Sequence, residues 1–535
     1  MDQLAQSKPL TGQGHAPIRW NGVVFVVVLG IAVIALCVKG VSNTPVIGAR
    51  ITYPFQLDDA EGVVLAEAQL IATGVNPYAY QPSPASYFYA GPYPPIYTLI
   101  NSAALATVGP TFKVGRAAQL LATFGVAAWL AWGIGWSRWR IDNHAWLAGV
   151  WAALLWGTTH LVVIWSTLVR PDMTALMWNL LGVVVLRRWW EVSRNERQRG
   201  GEREQDVWPR GPILVTLALG ALCFALGWWT KQTFVAVPGA FFVTTFLTRP
   251  RIAITLAALY AGMIVVPFGA LTALTGGGFA QKVVGYQGSW EWGAFWRLAE
   301  PFALRYGLWV ALAALIALVA CTRQRQLSFS IVWLLFAGVA AFGAGTSGGN
   351  HNHFVELLAA ATFIVGQDAA NTLRNSTLLT EPNSRVRFAV ARVAGMVIVL
   401  TGVACIEREG PHGWLADVYR APTIRERDGT AAVAAYLANA RAPVYSDNVG
   451  ILVIARQPVR VTDPFTMAAE VRLGRWDDSA LVADVAAGTY SVIAIREDHF
   501  DPEHPPSDMT PALVRAIQAR YRLAERNVLY LYVPK

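Results

Sequence analysis

Residues 23–38 read VVFVVVLGIAVIALCV, an apolar run that no charged residue interrupts before Lys39. Because a helix of about 20 apolar residues crosses the hydrocarbon core of a bilayer, this run predicts a membrane span. No small-residue cleavage site follows it, which favours a retained helix over a removed signal peptide. The whole chain agrees: 54% of its 535 residues are hydrophobic and 14% are charged, against about 25% charged residues in soluble domains.

Further apolar runs predict a mostly helical, polytopic membrane protein with about eleven spans. The predicted spans cover roughly 22–39, 117–136, 146–168, 172–188, 211–229, 232–248, 252–274, 305–321, 329–345, 354–369 and 387–404. The net charge is +9. Short cytoplasmic loops are rich in Lys and Arg, so this charge fits membrane topology better than nucleic-acid binding.

The basic residues orient these spans with the N-terminal segment 1–21 in the cytoplasm. Segment 187–210 holds seven Arg and five acidic residues and should also be cytoplasmic. The run 96–108 is short for a span. If this run is an interfacial helix, residues 40–116 form a large outer loop and every short basic loop lies in the cytoplasm. Those loops carry Arg138, Arg140, Arg249, Arg251, Arg323, Arg325, Arg374, Arg385 and Arg387.

Residues 405–535 follow the transmembrane part, 22–404, and have the composition of a soluble domain on the outer side. Apolar segments at 443–446, 458–462, 490–495 and 528–533 predict strands, and 431–440 and 511–520 predict helices. The alternation indicates a small α/β domain. Asp447 and Asp463 follow predicted strands, where turn and capping roles are usual, so we do not expect a catalytic centre in this domain.

The first outer loop contains three carboxylates, Asp58, Asp59 and Glu61, within five residues beside the membrane. Such a group could supply a general base or bind a metal. The spacing also suits a helix N-terminus, where Asp58 and Glu61 would resemble a capping box. The residues alone leave both interpretations open.

Prolines and aromatic residues fill the next part of this loop, at 74–78, 87–89 and 91–97. Tyr78 and Tyr93 lie in this part. By itself the pattern describes a rigid segment on the membrane surface with its rings at the level of the lipid head groups.

Charged residues also stand at other predicted outer edges of the membrane. Asp172 follows Arg170 and Pro171, and could be an early-turn acid of the next helix. Lys231 lies outside against the charge rule, where it could hold a phosphate or only extend its amine to water.

A histidine pair stands in the outer turn 345–356, in which Glu356 follows His351 and His353. Imidazole and carboxylate groups could ligate a metal, although polar turn residues with internal hydrogen bonds are as good an explanation. The four cysteines include no Cys-x-x-Cys pair and support neither a disulfide framework nor a cysteine metal site.

Taken in order, these residues resemble the GT-C superfamily of glycosyltransferases, in particular the protein O-mannosyltransferases and the lipid A aminoarabinose transferases. In those families an Asp-Glu pair in the first outer loop precedes a small residue by eight positions. Here Asp58-Asp59 and Ala66 occupy these places, with Asp as the second acid. Segments 74–78 and 93–97 also resemble the families, and Asp172 and Lys231 match an outer Asp and an outer Lys.

The resemblance implies sugar transfer from a polyprenyl-phosphate donor on the extracytoplasmic side of the plasma (inner) membrane, with inversion. Asp58 would be the base, and Asp59 and Asp172 would orient the acceptor or a metal. Lys231 would neutralise the departing phosphate with help from Arg170 or His353. Tyr78 and Tyr93 would also bind substrate. The acceptor, a lipid, glycan or protein, stays open, as does a divalent metal, for which the candidate ligands are Glu61, His351 and His353.

Two other classes compete with a transferase. A secondary transporter should show repeats and broken helices with charges at the membrane midplane, but no repeat is visible and the acids cluster outside. A non-catalytic membrane scaffold that displays the C-terminal domain would leave the outer acids unexplained.

Overall fold

The computed structural model describes residues 20–135, 145–198, 211–286, 288–324, 327–378, 384–406, 419–496 and 506–535. The predicted basic loops at Arg138 and Arg140, at 199–210 and at Arg325 lie outside these residues, as does the start of the C-terminal domain near 407. Within them the protein is mostly helical, and its strands lie near the C-terminus.

The first part of the chain is a helical bundle, and two of its helices, α2 and α3, lie within the predicted outer loop 40–116. Its helices are α1 (Trp20–Thr52), α2 (Asp59–Ala72), α3 (Pro95–Val108), α4 (Lys113–Gly135), α5 (Ala145–Gly157), α6 (His160–Ser166), α7 (Asp172–Gln198), α8 (Pro212–Thr230), α9 (Ala236–Phe246), α10 (Pro250–Leu274), α11 (Gly278–Ala280), α12 (Trp292–Gln324), α13 (Phe329–Ala341), α14 (Val355–Leu378) and α15 (Ser384–Cys405).

Every predicted span corresponds to one helix or one broken helix of this bundle. Among the described residues, six helices are long and apolar enough to cross a membrane, and a seventh span results if α5 and α6, which are bent by 70°, count together. The remaining predicted spans are shorter or more charged helices, α7, α9, α13 and α14. The predicted fold class, a mostly helical polytopic membrane protein, is confirmed.

The first helix is longer than predicted, because it ends at Thr52 and not near residue 39. Tertiary hydrogen bonds accommodate its polar second half. The Asn43 amide donates to the Thr158 carbonyl over 3.0 Å, and the Tyr419 hydroxyl donates to Asn43 over 2.6 Å. Pro54 ends the helix, since it disfavours the helical conformation of the residue before it.

Close helix packing holds the bundle together around buried tryptophans. Trp151, Trp156 and Trp333 are fully buried. Gly149 on α5 lies so close to α4 that an added Cβ would be 2.3 Å from the Ala131 carbonyl oxygen. Only glycine permits this approach of two helices.

The C-terminal domain is α/β. Its elements are α16 (Ile424–Asn439), β1 (Val444–Ser446), α17 (Val449–Ile454), α18 (Pro464–Arg472), α19 (Ser479–Ala486), β2 (Val492–Ile495), α20 (Pro511–Arg520), β3 (Tyr521–Arg526) and β4 (Tyr530–Pro534). The sheet order is β1-β2-β4-β3, with β1 parallel to β2 and the other pairs antiparallel.

One predicted strand is wrong and one strand was missed. Segment 458–462 does not join the sheet, because it pairs with the first outer loop: the Phe88 N–H donates to the Arg460 carbonyl over 2.7 Å, and the Thr462 N–H to the Phe88 carbonyl over 2.9 Å. Strand β3 has a mostly exposed, charged sequence and lacks the apolar alternation that marks a strand.

The C-terminal domain packs directly on the first outer loop. Val449 and Leu452 of α17 share one buried cluster with Phe55, Tyr97 and Phe112. The Gly450 N–H donates to the Gln56 side chain over 2.9 Å, two residues before Asp58. The domain therefore contacts the segment that carries the outer acids.

Candidate active site

Asp58 lies at the N-terminus of α2, where it is both a cap and an ion-pair partner. Its carboxylate accepts the Ala60 N–H over 3.1 Å and lies 3.2 Å from the Arg170 guanidinium. Burial raises the pKa of Asp58, although Arg170 opposes the shift. Asp58 therefore caps α2 as expected, but Glu61 does not complete a capping box, because its carboxylate accepts the Leu57 N–H instead of the Asp58 N–H. The geometry adds a cation from a distant part of the chain.

Asp172 begins α7 after Pro171, as the sequence predicted for an early-turn acid, and it is fully buried. Its Oδ1 lies 2.6 Å from the Lys231 ammonium and accepts the Asn352 amide N–H over 2.8 Å. Lys231 is the C-cap residue that follows the last residue of α8. Asn352 lies in the 3₁₀ turn His351–Phe354 before α14. Three helix ends thus meet at one carboxylate.

Arg170 and Tyr93 join these two groups. Arg170 Nη2 donates to the Tyr93 hydroxyl over 3.4 Å, and the Lys231 ammonium lies 5.7 Å from the Tyr93 ring centroid. We call Asp58, Arg170, Asp172, Lys231 and Tyr93 the outer cluster. Its acids stand at helix N-termini and Lys231 at a helix C-terminus, the arrangement that helix dipoles favour.

The outer cluster has spare hydrogen-bonding capacity. Among the described residues, Oδ2 of Asp172 and Nε of Arg170 are buried and have no hydrogen-bond partner. An acceptor and a donor are therefore both available to a bound substrate.

His353 lies near the cluster. Burial, and after it the charge of Lys231, lowers the pKa of His353 to about 3. The charge of Arg170 adds to this shift, and the charge of Asp172 opposes it. Burial and Arg305 lower the pKa of His351 to about 4. Both imidazoles are therefore neutral at physiological pH.

The candidate metal ligands do not converge. Among the described residues, no three His, Cys, Asp or Glu side chains come together as a metal site. Glu61 is fully buried and pairs with Arg116 at 2.8 Å. Its oxygens also accept the N–H groups of Leu57 and Val169 over 2.6 Å each. Glu61 therefore holds the outer loop to the start of α4 and to the segment before Arg170.

Asp59 points away from the outer cluster toward the C-terminal domain. It lies 2.5 Å from the Arg496 guanidinium, which also reaches Asp447 at 3.3 Å and Asp508 at 3.1 Å. Asp447 thus binds Arg496 instead of serving as a cap, whereas Asp463 does cap α18 by accepting the Thr466 N–H over 3.0 Å.

The aromatic part of the outer loop positions Tyr93. Tyr78 is buried, and its hydroxyl donates to the Tyr93 carbonyl over 2.9 Å. The fully buried Glu67 accepts the Gly91 N–H over 2.7 Å, and Lys282 donates to the Pro77 carbonyl over 2.6 Å. Sequence reasoning missed Glu67 and Lys282. A charged residue within an apolar segment was their only signal.

Comparison with solved structures identifies the fold. The crystal structure of ArnT from Cupriavidus metallidurans bound to undecaprenyl phosphate is 12% identical, with a TM-score of 0.54 over 93% of this chain and 97% of that chain. The apo structure of the same protein is 14% identical, with a TM-score of 0.53 and the same coverage. No family model matches the sequence, and no curated protein matches it at a significant level.

ArnT, a lipid A aminoarabinose transferase, is a member of the GT-C superfamily. The chain therefore has the fold of the GT-C membrane glycosyltransferases, and the resemblance seen in the sequence is confirmed at the level of the fold. The match extends over nearly the full length of both chains and so includes the C-terminal domain.

Proposed function

We propose that the protein is a glycosyltransferase that moves a sugar from a polyprenyl-phosphate donor to an acceptor hydroxyl. The observation that carries the proposal is the outer cluster, in which two acids and two cations from three distant segments meet with a spare acceptor and a spare donor. The GT-C fold supports it, since the similar ArnT structure holds undecaprenyl phosphate. We place the cluster on the extracytoplasmic face of the inner membrane.

Asp58 acts as the general base. The acceptor hydroxyl gives its proton to the carboxylate while its oxygen attacks the anomeric carbon. The bond from that carbon to the phosphate oxygen breaks, and the lipid phosphate leaves with one more negative charge. A raised pKa suits this role, because a base works best when its pKa approaches the working pH. Attack opposite the leaving group inverts the anomeric centre.

Lys231 and Arg170 neutralise the charge that develops on the departing phosphate. Hydrogen-bond donors that the fold already holds in place stabilise such a charge without any rearrangement of the site. Asp172 holds Lys231 in position and presents its free oxygen to the acceptor. Asp59 acts through Arg496, which connects the segment that carries Asp58 and Asp59 to the C-terminal domain. That domain covers the site or selects the acceptor.

Sugar transfer by purified Asp58→Asn protein tests the assignment. Asn keeps a capping oxygen but removes the ion pair with Arg170, so thermal stability and donor binding are measured beside transfer to separate a structural loss from a loss of the base. We expect transfer to fall by about 10²–10⁴-fold, the usual contribution of a general base, with donor binding largely intact. Asp172→Asn should have a weaker effect. Near wild-type transfer by Asp58→Asn with an inactive Asp172→Asn would make Asp172 the base. Activity of both variants would refute the proposed reaction.

A further inference from the structure

A large cavity opens at the end of the bundle opposite the outer cluster. Its volume is about 740 Å³, within the range of small-molecule sites. Arg187 lines it and Asp172 belongs to the outer cluster, and both lie on α7. At 1.5 Å per residue, their separation of fifteen positions places the two sites about 22 Å apart along the helix. We call this the basal cavity.

The charged side chains of the basal cavity favour an anion. Three guanidinium groups, of Arg187, Arg323 and Arg392, line it together with one carboxylate, that of Asp368. Asp368 pairs with Arg392 at 2.7 Å. The described lining therefore carries a net positive charge, and guanidinium groups suit the geometry of phosphate oxygens.

Other polar groups extend this donor set. Hydroxyl and amide side chains of Thr245, Ser330, Asn371 and Asn375 lie on the same lining. Each of them can donate a hydrogen bond to a phosphate oxygen.

Part of the cavity wall is apolar and aromatic. Trp129, Phe241 and Phe363 line it, and the rings of Trp129 and Phe363 lie 4.8 Å apart. A free phosphate has no group that would contact this wall. An acyl or prenyl chain does, since burying its methylene groups against such a wall is favourable.

We propose that the basal cavity binds a phosphate-bearing lipid, with the phosphate at the arginines and the first carbons of the chain against the aromatic wall. The ligand enters from the membrane face opposite the outer cluster. Lipid binding in the basal cavity does not require sugar transfer, so its test is independent of the proposed function. Undecaprenyl phosphate and an anionic phospholipid such as phosphatidylglycerol share the required chemistry.

Lipid titration of the purified full chain, followed by native mass spectrometry, tests the site. The test variant is Arg187→Gln with Arg323→Gln. The matched control is Arg251→Gln with Arg387→Gln, which removes the same charge from basic residues outside the lining. Each probe is titrated separately: undecaprenyl phosphate, phosphatidylglycerol, uncharged diacylglycerol and inorganic phosphate.

We expect the test variant to bind the phosphate-bearing lipid at least about tenfold more weakly, as the loss of charge-assisted hydrogen bonds implies, and the control to bind normally. Whichever lipid shows this loss is the ligand. Thr248→Glu, which places an acid at an exposed lining position, should weaken binding even if the double variant folds poorly. Equal losses in test and control, unchanged binding in Thr248→Glu, or equal binding of diacylglycerol or inorganic phosphate would overturn the proposal.

Discussion

Replacing Glu61 by Gln tests whether this acid is structural or a metal ligand. Both carboxylate oxygens face only donors, from Arg116, Leu57 and Val169. A Gln amide would turn its N–H₂ toward two of these donors and leave the charge of Arg116 buried and unpaired. Removing one partner of a buried ion pair costs about 3–5 kcal/mol, a large share of the roughly 5–15 kcal/mol that stabilises a folded domain.

The control is Glu426→Gln. Glu426 pairs with Arg420 at the surface, where the two side chains are 37% and 48% exposed, and such pairs contribute about 0–1 kcal/mol. Thermal unfolding in detergent, followed by near-UV circular dichroism, should show a large loss for Glu61→Gln and almost none for Glu426→Gln. Equal effects would refute the structural reasoning. Destabilisation of the wild type by a chelator, absent in Glu61→Gln, would restore Glu61 as a metal ligand.

Three further changes probe other parts of the account. Arg496→Gln should leave the bundle intact and speed amide hydrogen exchange in the first turn of α2, because Arg496 connects Asp59 of that turn to Asp447 and Asp508; unchanged exchange would refute the link. Burial raises the pKa of Glu67 to about 8, so its contribution to stability is present below pH 4.5 and is lost as pH rises from 4.5 to about 8. The comparison is made between pH 4.5 and about 6, where Lys282 (pKa lowered by burial to about 7) keeps its proton. Over this range the wild type should lose thermal stability relative to Glu67→Gln, whatever slope the other titrating groups give both proteins; parallel curves would contradict this. Cysteine labelling should reach Gly109→Cys from outside and Ser193→Cys only from the cytoplasm, and the reverse result would invert the topology.

Local sequence patterns predicted the fold well where short-range physics decides it. Apolar length located the helices of the bundle, and helix-end chemistry located Asp58 and Asp172 at the first turns of α2 and α7. Helix α20 begins and ends where the pattern of residues 511–520 predicted. In each case a residue's neighbours in the chain determine its structure.

Long-range pairing accounts for the rest. Nothing near Glu61 in the chain indicates that Arg116 will neutralise it. Asp59 and Arg496, which are 437 residues apart, meet only because the C-terminal domain packs on the outer loop. Segment 458–462 has the composition of a strand but pairs with Phe88 outside the sheet. Such partners follow from the tertiary structure and carry no local signal.

A structure of the protein with a polyprenyl-phosphate sugar bound tests the central claim most directly. We predict the donor phosphate within hydrogen-bonding distance of the Lys231 ammonium and the Arg170 guanidinium, with the anomeric carbon facing Asp58. Occupancy of the basal cavity would not affect this test. A donor bound elsewhere, with the Asp58–Arg170 and Asp172–Lys231 pairs closed and free of ligand, would contradict the account.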